Sequence, residues 1–233
     1  MNLIIFDIDG TLTQTNEVDS ICFAQAIMDV LDIPELNTNW ASYKYSTDSG
    51  LLNEIFESHF QRLPTEDEIN TIKDRFVSYL KQAWLNDKFL YSPILGAETI
   101  FRKIQDLSTW HMGIATGAWK SSALFKLESA TIPHVELPKS YADDHVERAE
   151  IIKKTIKQAQ AKHKVSQYEK IIYVGDKPWD KRAAMQLGIG FVGIGHEIMA
   201  THQPQDFCLP NYESDTALLE YLQKYERIFE KTT

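Results

Sequence analysis

Short apolar runs and longer helical patterns alternate along most of the chain. The first apolar run, Leu3 to Phe6, ends in polar residues, and runs of similar length recur at 111–115, 170–174 and 190–194. Between and after these runs, apolar residues with the spacing of amphipathic helices occupy 97–107, 151–160 and 181–187. Strands separated by helices favour βαβ units. We therefore predict an α/β fold, a Rossmann-like parallel sheet with helices on both faces.

The segment between the first two predicted strands has a different pattern, which is helical throughout. Thr65 and Glu68 have the spacing of a capping box, which marks the start of a helix. The apolar residues that follow share one stripe of that helix: Ile69, Ile72, Phe76, Leu80 and Ala83. Helical patterns also cover 23–31 and 51–60. The sequence therefore predicts a helical insertion at 14–91 in a core formed by 1–13 and 92–233.

Composition narrows the class of protein. The 233 residues are 43% hydrophobic and 24% charged, as in ordinary globular enzymes, and the net charge of -9 without a dense Lys/Arg run argues against nucleic-acid binding. No apolar stretch approaches the roughly 18 residues of a membrane span, and no leader pattern precedes the first strand. Cys22 and Cys208 lack metal-ligand or redox spacing. We therefore expect a cytoplasmic protein, either monomer or dimer.

Polar residues follow three of the predicted strands. Asp7 and Asp9 end the first strand and, being two residues apart, point the same way. Thr116 and Gly117 follow the second predicted strand, and Asp176 follows the third. Carboxyl ends of parallel strands meet at one edge of the sheet. A Mg²⁺ ion among the three aspartates would relieve their repulsion and leave coordination positions for water and a phosphate.

These motifs, in this order, resemble those of the haloacid dehalogenase-like (HAD) superfamily of phosphohydrolases. The stretch from Asp7 to Leu12 is similar to the first motif, 114–117 to the second, and Gly175-Asp176 with Asp180 to the fourth. The helical insertion is similar to the cap of the first type in this family, as in phosphoglycolate phosphatase-like members. The resemblance extends to about residue 222.

The resemblance implies a role for each aspartate. Asp7 would be the nucleophile that forms an aspartyl-phosphate, and Asp9 would be the general acid and base. Asp7, Asp176 and the main-chain carbonyl of Asp9 would bind Mg²⁺. Asp180 would orient a water molecule of the ion, although pairing with Lys181 or Arg182 is an alternative.

The resemblance also implies residues that bind the phosphoryl group. The Thr116 hydroxyl and the Gly117 amide would donate hydrogen bonds to it, while Thr116 as a helix N-cap is a compatible alternative. The third motif requires a cation, and the region 137–152 offers Arg148 and Lys139. We prefer Arg148 because it stands immediately before the apolar run of a helix.

Two further residues lie in the helical insertion. Thr47 and Asp48 precede the helical pattern at 51–60. One interpretation is an ordinary N-cap and turn. The other is that this element closes over the site and binds substrate.

The function that these residues predict is a Mg²⁺-dependent phosphatase acting on a small phosphorylated metabolite. The alternatives are a sugar phosphomutase of the same superfamily, which would exclude water from the same chemistry, and a non-catalytic binding module with this fold. Retention of both Asp7 and Asp9 argues against the last.

Overall fold

The computed structural model describes residues 1–203 and 206–229. Within them, six strands form one sheet in the order β3-β2-β1-β4-β5-β6, and every neighbouring pair is parallel. The strands are β1 (Asn2–Phe6), β2 (Trp110–Ala115), β3 (Lys139–Ser140), β4 (Lys170–Gly175), β5 (Gly190–Ile194) and β6 (Phe207–Leu209). The predicted parallel sheet is confirmed, and it gains two short strands, β3 and β6, that the sequence pattern did not indicate.

Nine α-helices occur in the described residues. They are α1 (Asn16–Leu31), α2 (Asp48–Phe60), α3 (Glu66–Asn86), α4 (Ala97–Gln105), α5 (Lys120–Ser129), α6 (Arg148–His163), α7 (Pro178–Leu187), α8 (His196–Ala200) and α9 (Asp215–Phe229). Helix α6 starts three residues before the predicted run, so Arg148 is its first residue. None of the helices in this part of the chain combines the length and apolar character needed to cross a membrane.

The central strand β1 separates two apolar cores because its side chains alternate between faces. Ile4 and Phe6 pack in a cluster with residues of α4 and α9: Ile100, Phe101, Ile104, Leu218 and Leu222. Leu3 and Ile5 pack on the other face with residues of α6 and α7: Ile151, Ile152, Ala159, Ala183 and Ala184. Helices therefore cover both faces of the sheet, as predicted.

Helices α1 to α3 lie between β1 and β2 in sequence and share a third apolar core, which contains Phe23, Leu52, Phe56, Phe76 and Leu80. Helix α3 begins with the predicted capping box of Thr65 and Glu68. We call residues 16–91 the helical segment. The predicted boundaries, 14–91 against 1–13 and 92–233, remain predictions, and positions 204–205 and 230–233 of the second range lie outside the described residues.

Trp119 joins the helical segment to the rest of the protein. Its buried ring lies 5.5 Å from the Phe23 ring and 6.3 Å from the Phe76 ring. Its indole N–H donates a 2.8 Å hydrogen bond to Ser49 Oγ, and its main-chain N–H donates one of 2.8 Å to Asp48 Oδ2. The segment is thus fixed against the loop after β2, beside the carboxyl end of the sheet.

Candidate active site

Two aspartates meet at the centre of the sheet, where the strand order reverses between β1 and β4. Asp7 follows β1 and Asp176 follows β4, and their exposed fractions are only 4% and 5%. Gly10 permits this approach, since its φ is +70° and a Cβ there would lie 2.1 Å from Asp176 Oδ2. One oxygen each of Asp7, Asp176 and Asp180 lies within 4.8 Å of the others.

Two of these three carboxylates, those of Asp7 and Asp176, fit a divalent cation. Asp7 Oδ1 and Asp176 Oδ1 are buried and have no hydrogen-bond partner, an arrangement that costs stability unless a ligand satisfies both oxygens. Carboxylate oxygens are the ligands of hard cations. The oxygens of Asp180 are already engaged, because Oδ1 lies 3.1 Å from Arg148 Nη1 and Oδ2 accepts a 3.0 Å hydrogen bond from the Lys177 amide. Asp7 and Asp176 are therefore the side chains free to bind a metal.

Burial changes the acidity of these carboxyls. It raises the pKa of Asp176 to about 7, against the opposing effect of the Lys177 ammonium. Burial also raises the pKa of Asp7, while the Arg148 guanidinium acts in the opposite direction. A cation between the two carboxylates would replace the lost hydration of their charged forms.

Arg148 is the cation nearest to Asp7 among the residues that line the cleft. Its Nη1 lies 3.2 Å from Asp7 Oδ2, and its Nη2 donates a 2.8 Å hydrogen bond to the Ser46 carbonyl in the helical segment. Burial alone would lower the pKa of Arg148, but Asp180 and Asp7 outweigh it and raise the pKa. The guanidinium therefore keeps a full positive charge beside Asp7.

Lys139, the other candidate for this role, lies in β3 and faces elsewhere. Its ammonium donates hydrogen bonds to three main-chain carbonyls, those of His134 (2.7 Å), Val135 (3.0 Å) and Leu137 (3.1 Å). It does not line the cleft that contains Asp7. The structure thus brings Arg148, and not Lys139, to the carboxylates.

Thr116 and Gly117 line the same cleft beyond β2. The Thr116 side chain accepts a 3.2 Å hydrogen bond from the Ala118 amide, but the N-cap of α5 is Trp119. The Gly117 carbonyl accepts a 2.8 Å hydrogen bond from the Asp48 amide. Both predicted phosphoryl-binding residues therefore line the cleft, next to the contact with the helical segment.

Thr47 and Asp48 both contact the core of the protein. Thr47 caps α2, accepting a 3.2 Å hydrogen bond from the Gly50 amide, and its hydroxyl donates a 2.7 Å hydrogen bond to the Val146 carbonyl. Asp48 binds the Trp119 amide and also lines the cleft. The N-cap interpretation of Thr47 is confirmed, and of the two residues only Asp48 is on the cleft wall.

Asp9 is held by a buried lysine that sequence reasoning missed. Lys126, on α5, has a side chain with no exposed surface and lies 2.6 Å from Asp9 Oδ2 and 2.5 Å from Asp19 Oδ1 on α1. The other Asp9 oxygen accepts a 2.5 Å hydrogen bond from the Thr15 hydroxyl. Desolvation would lower the pKa of Lys126, but Asp19 and Asp9 outweigh it and raise the pKa. The available signal was a lysine within the buried stripe that contains Ala123 and Leu127.

We expect Lys126→Met to lower the free energy of unfolding by about 3 kcal/mol, because it leaves two partly buried carboxylates without their cation. Urea denaturation at neutral pH measures this loss. Lys120→Met, on the exposed first turn of the same helix, is the matched control and should change the free energy by less than about 0.5 kcal/mol. Equal stability of the two variants would show that the buried ion pairs contribute nothing.

The cleft between the sheet edge and the helical segment has a volume of about 430 Å³. Asp7, Asp9, Arg148 and Asp176 form one part of its wall. The other lining residues belong to α1, the 38–41 stretch, the start of α2, the loop after β2, the start of α7 and α8. A space of this size matches a small ligand.

The chain belongs to the haloacid dehalogenase-like hydrolase family, whose characteristic sequence pattern matches residues 4–194. It is therefore a hydrolase of this family, and members generally use a divalent metal, which the cluster of buried carboxylates is suited to bind. A comparison with curated proteins gives no match.

Solved structures share the fold at low sequence identity. A hydrolase from Pseudomonas syringae is 18% identical with a TM-score of 0.69, over 96% of this chain and 99% of its own. A haloacid dehalogenase-like family protein from Streptococcus pneumoniae is 21% identical with a TM-score of 0.57, over 96% and 97%. CbbY from Rhodobacter sphaeroides, in complex with phosphate, is 16% identical with a TM-score of 0.60, over 91% and 94%.

Proposed function

We propose that the protein is a Mg²⁺-dependent phosphatase that hydrolyses a small phosphorylated metabolite through an aspartyl-phosphate on Asp7. The observation that carries the proposal is the pair of buried, unpartnered oxygens on Asp7 and Asp176, beside a guanidinium 3.2 Å from Asp7. A phosphatase of this kind needs such a set: a nucleophile, a metal site and a fixed positive charge.

Asp7, Asp176 and the main-chain carbonyl of Asp9 would hold the metal, with Asp180 orienting a water molecule. Mg²⁺ bound there would neutralise carboxylate and phosphoryl charge. Asp7 would attack phosphorus, and Arg148 would stabilise the charge that develops on the phosphoryl oxygens. The Thr116 hydroxyl and the Gly117 amide would hold the same oxygens.

Asp9 would transfer the protons. Its carboxyl lies in the cleft wall, where it would protonate the leaving alcohol and then deprotonate the attacking water, which typically contributes about 10²- to 10⁴-fold. Lys126 and Thr15 fix its orientation through both oxygens.

The helical segment would act as the cap over this site. Thr47 and Asp48 support that role because they link the segment to Val146 and Trp119, and Asp48 reaches the cleft. We propose that Asp48 contacts substrate and that Thr47 sets the position of the segment.

We expect phosphate release from an aryl phosphate and from a panel of phosphorylated metabolites to require Mg²⁺ and to stop in excess EDTA. Asp176→Ala should weaken Mg²⁺ binding at least about tenfold, because it removes a carboxylate ligand. Calorimetric titration with Mg²⁺ measures this without turnover, with the exposed Asp74→Ala as control. Activity that persists fully in EDTA would refute the proposal, and conversion of a hexose phosphate to its isomer without phosphate release would favour the phosphomutase.

A further inference from the structure

The positive charges at the cleft are all bound to carboxylates. Arg148 and Lys177 are the cationic side chains among the described residues that line it. Arg148 contacts Asp7 and Asp180 at 3.2 and 3.1 Å. Because it lies beside the proposed nucleophile, its charge would act on the transferred phosphoryl group. Lys126, whose side chain is buried behind the cleft wall, is bound to the carboxylates of Asp9 and Asp19. None of these cations is free for a second anionic group of a ligand.

Lys177 is the cation with the best access to the outer cleft, and it too is engaged. Its ammonium lies 3.2 Å from Asp176 Oδ2 and also contacts Glu197 Oε2. A second anion that bound Lys177 would compete with Glu197 for its ammonium. This competition would weaken the binding of a substrate with two anionic groups.

The wall beyond the reaction centre is acidic. The first turns of α1 contribute Glu17, Asp19 and the Ser20 hydroxyl, and α8 contributes Glu197. Glu17 is exposed and forms no ion pair with any residue that the structure describes. Asp19 is paired with Lys126, and Glu197 is paired with Lys177. Glu17 would therefore repel an additional negative charge on the ligand, whereas a hydroxyl or an ammonium group would find acceptors.

We propose that the cleft selects phosphomonoesters whose leaving alcohol carries no second anionic group, and that Glu17 enforces this selection. The inference rests on the proposed phosphatase function and specifies its substrate class. The cleft would favour esters of alcohols with neutral or positively charged substituents over esters whose alcohol carries a carboxylate or a second phosphate.

Three substrates of nearly equal size test the selection: hydroxyethyl phosphate, phosphoethanolamine and phosphoglycolate. They differ in carrying a hydroxyl, an ammonium or a carboxylate at the same position. We expect kcat/KM for phosphoglycolate to be at least about fivefold below that for each of the other two. The difference should shrink as ionic strength rises, because exposed charges are screened.

Substitution of Glu17 tests its role in the same assay. Glu17→Lys should raise the ratio of kcat/KM for phosphoglycolate to that for hydroxyethyl phosphate at least about fivefold, and Glu17→Gln should raise it by less. Glu57→Lys, at an exposed position of α2 in the same helical segment, changes the net charge equally and should leave the ratio unchanged.

The outcomes are distinguishable from failure of the phosphatase proposal. Mg²⁺-dependent hydrolysis of an aryl phosphate together with a preference for phosphoglycolate would overturn the selection and leave the phosphatase intact. A Glu57→Lys effect as large as that of Glu17→Lys would show that net charge, and not the cleft wall, sets the ratio, and would overturn the role of Glu17. Lack of hydrolysis of all four esters would overturn both proposals.

Discussion

Asp7→Asn is expected to reduce kcat by at least about 10⁴-fold on every phosphomonoester. The amide is a poor nucleophile. Of the neighbouring carboxylates, Asp9 is bound to Lys126 and Thr15, Asp180 is bound to Arg148 and the Lys177 amide, and Asp176 would hold the metal. Steady-state release of phosphate measures the loss. Circular dichroism and urea denaturation of the variant confirm that it is folded.

Asp9→Asn is the matched comparison, because it changes a carboxyl two residues away and keeps the nucleophile. The loss of activity in Asp9→Asn should depend on the leaving group. With an alkyl phosphate the loss should be nearly complete. With a nitrophenyl phosphate, whose leaving group needs no proton, the loss in the first step should be smaller. Identical losses for both esters would argue against Asp9 as the general acid. Full activity of Asp7→Asn would exclude Asp7 as the nucleophile.

Arg148→Ala should lower kcat by about 10²- to 10³-fold, since it removes the fixed positive charge 3.2 Å from Asp7. Lys139→Ala should stay within about threefold of the parent protein, because Lys139 binds only main-chain carbonyls outside the cleft. Initial rates at saturating aryl phosphate compare the two variants.

Removal of Arg148 also leaves Asp7 and Asp180 without their cation, so the fold of that variant needs its own control. Arg148→Lys keeps a charge but loses the planar pair of donors, and it should recover part of the activity. A large loss of kcat in Lys139→Ala alone would reverse the assignment of the third-motif cation.

Several parts of the molecule follow from local sequence rules. The apolar run from Leu3 to Phe6 predicted β1, which ends directly before Asp7, and the spacing of Thr65 and Glu68 predicted the start of α3. Both depend on residues that are close in sequence, for which a strand or a helix end has a fixed geometry. The parallel sheet followed similarly from the order of strands and helices.

Other features depend on contacts between distant segments and were not predictable. Strand β3 is two residues long and is defined by its pairing with β2. The contacts of Lys126 with Asp9 and Asp19 span 117 and 107 positions and require α1 to come within reach of a lysine side chain on α5. A lysine in an apolar stripe signals a buried partner, but the sequence does not show which carboxylate that partner is.

The proposed mechanism depends most on Asp7 as the residue that receives the phosphoryl group. Asp9→Asn should form this intermediate and hydrolyse it slowly, since the base for the second step is missing. Rapid acid quench of that variant with nitrophenyl phosphate, followed by intact-mass and peptide mapping, should therefore show one added phosphoryl group on Asp7. The group should be absent from Asp7→Asn treated in the same way. A phosphoryl group that mapped to a serine, a histidine or another aspartate would contradict the mechanism.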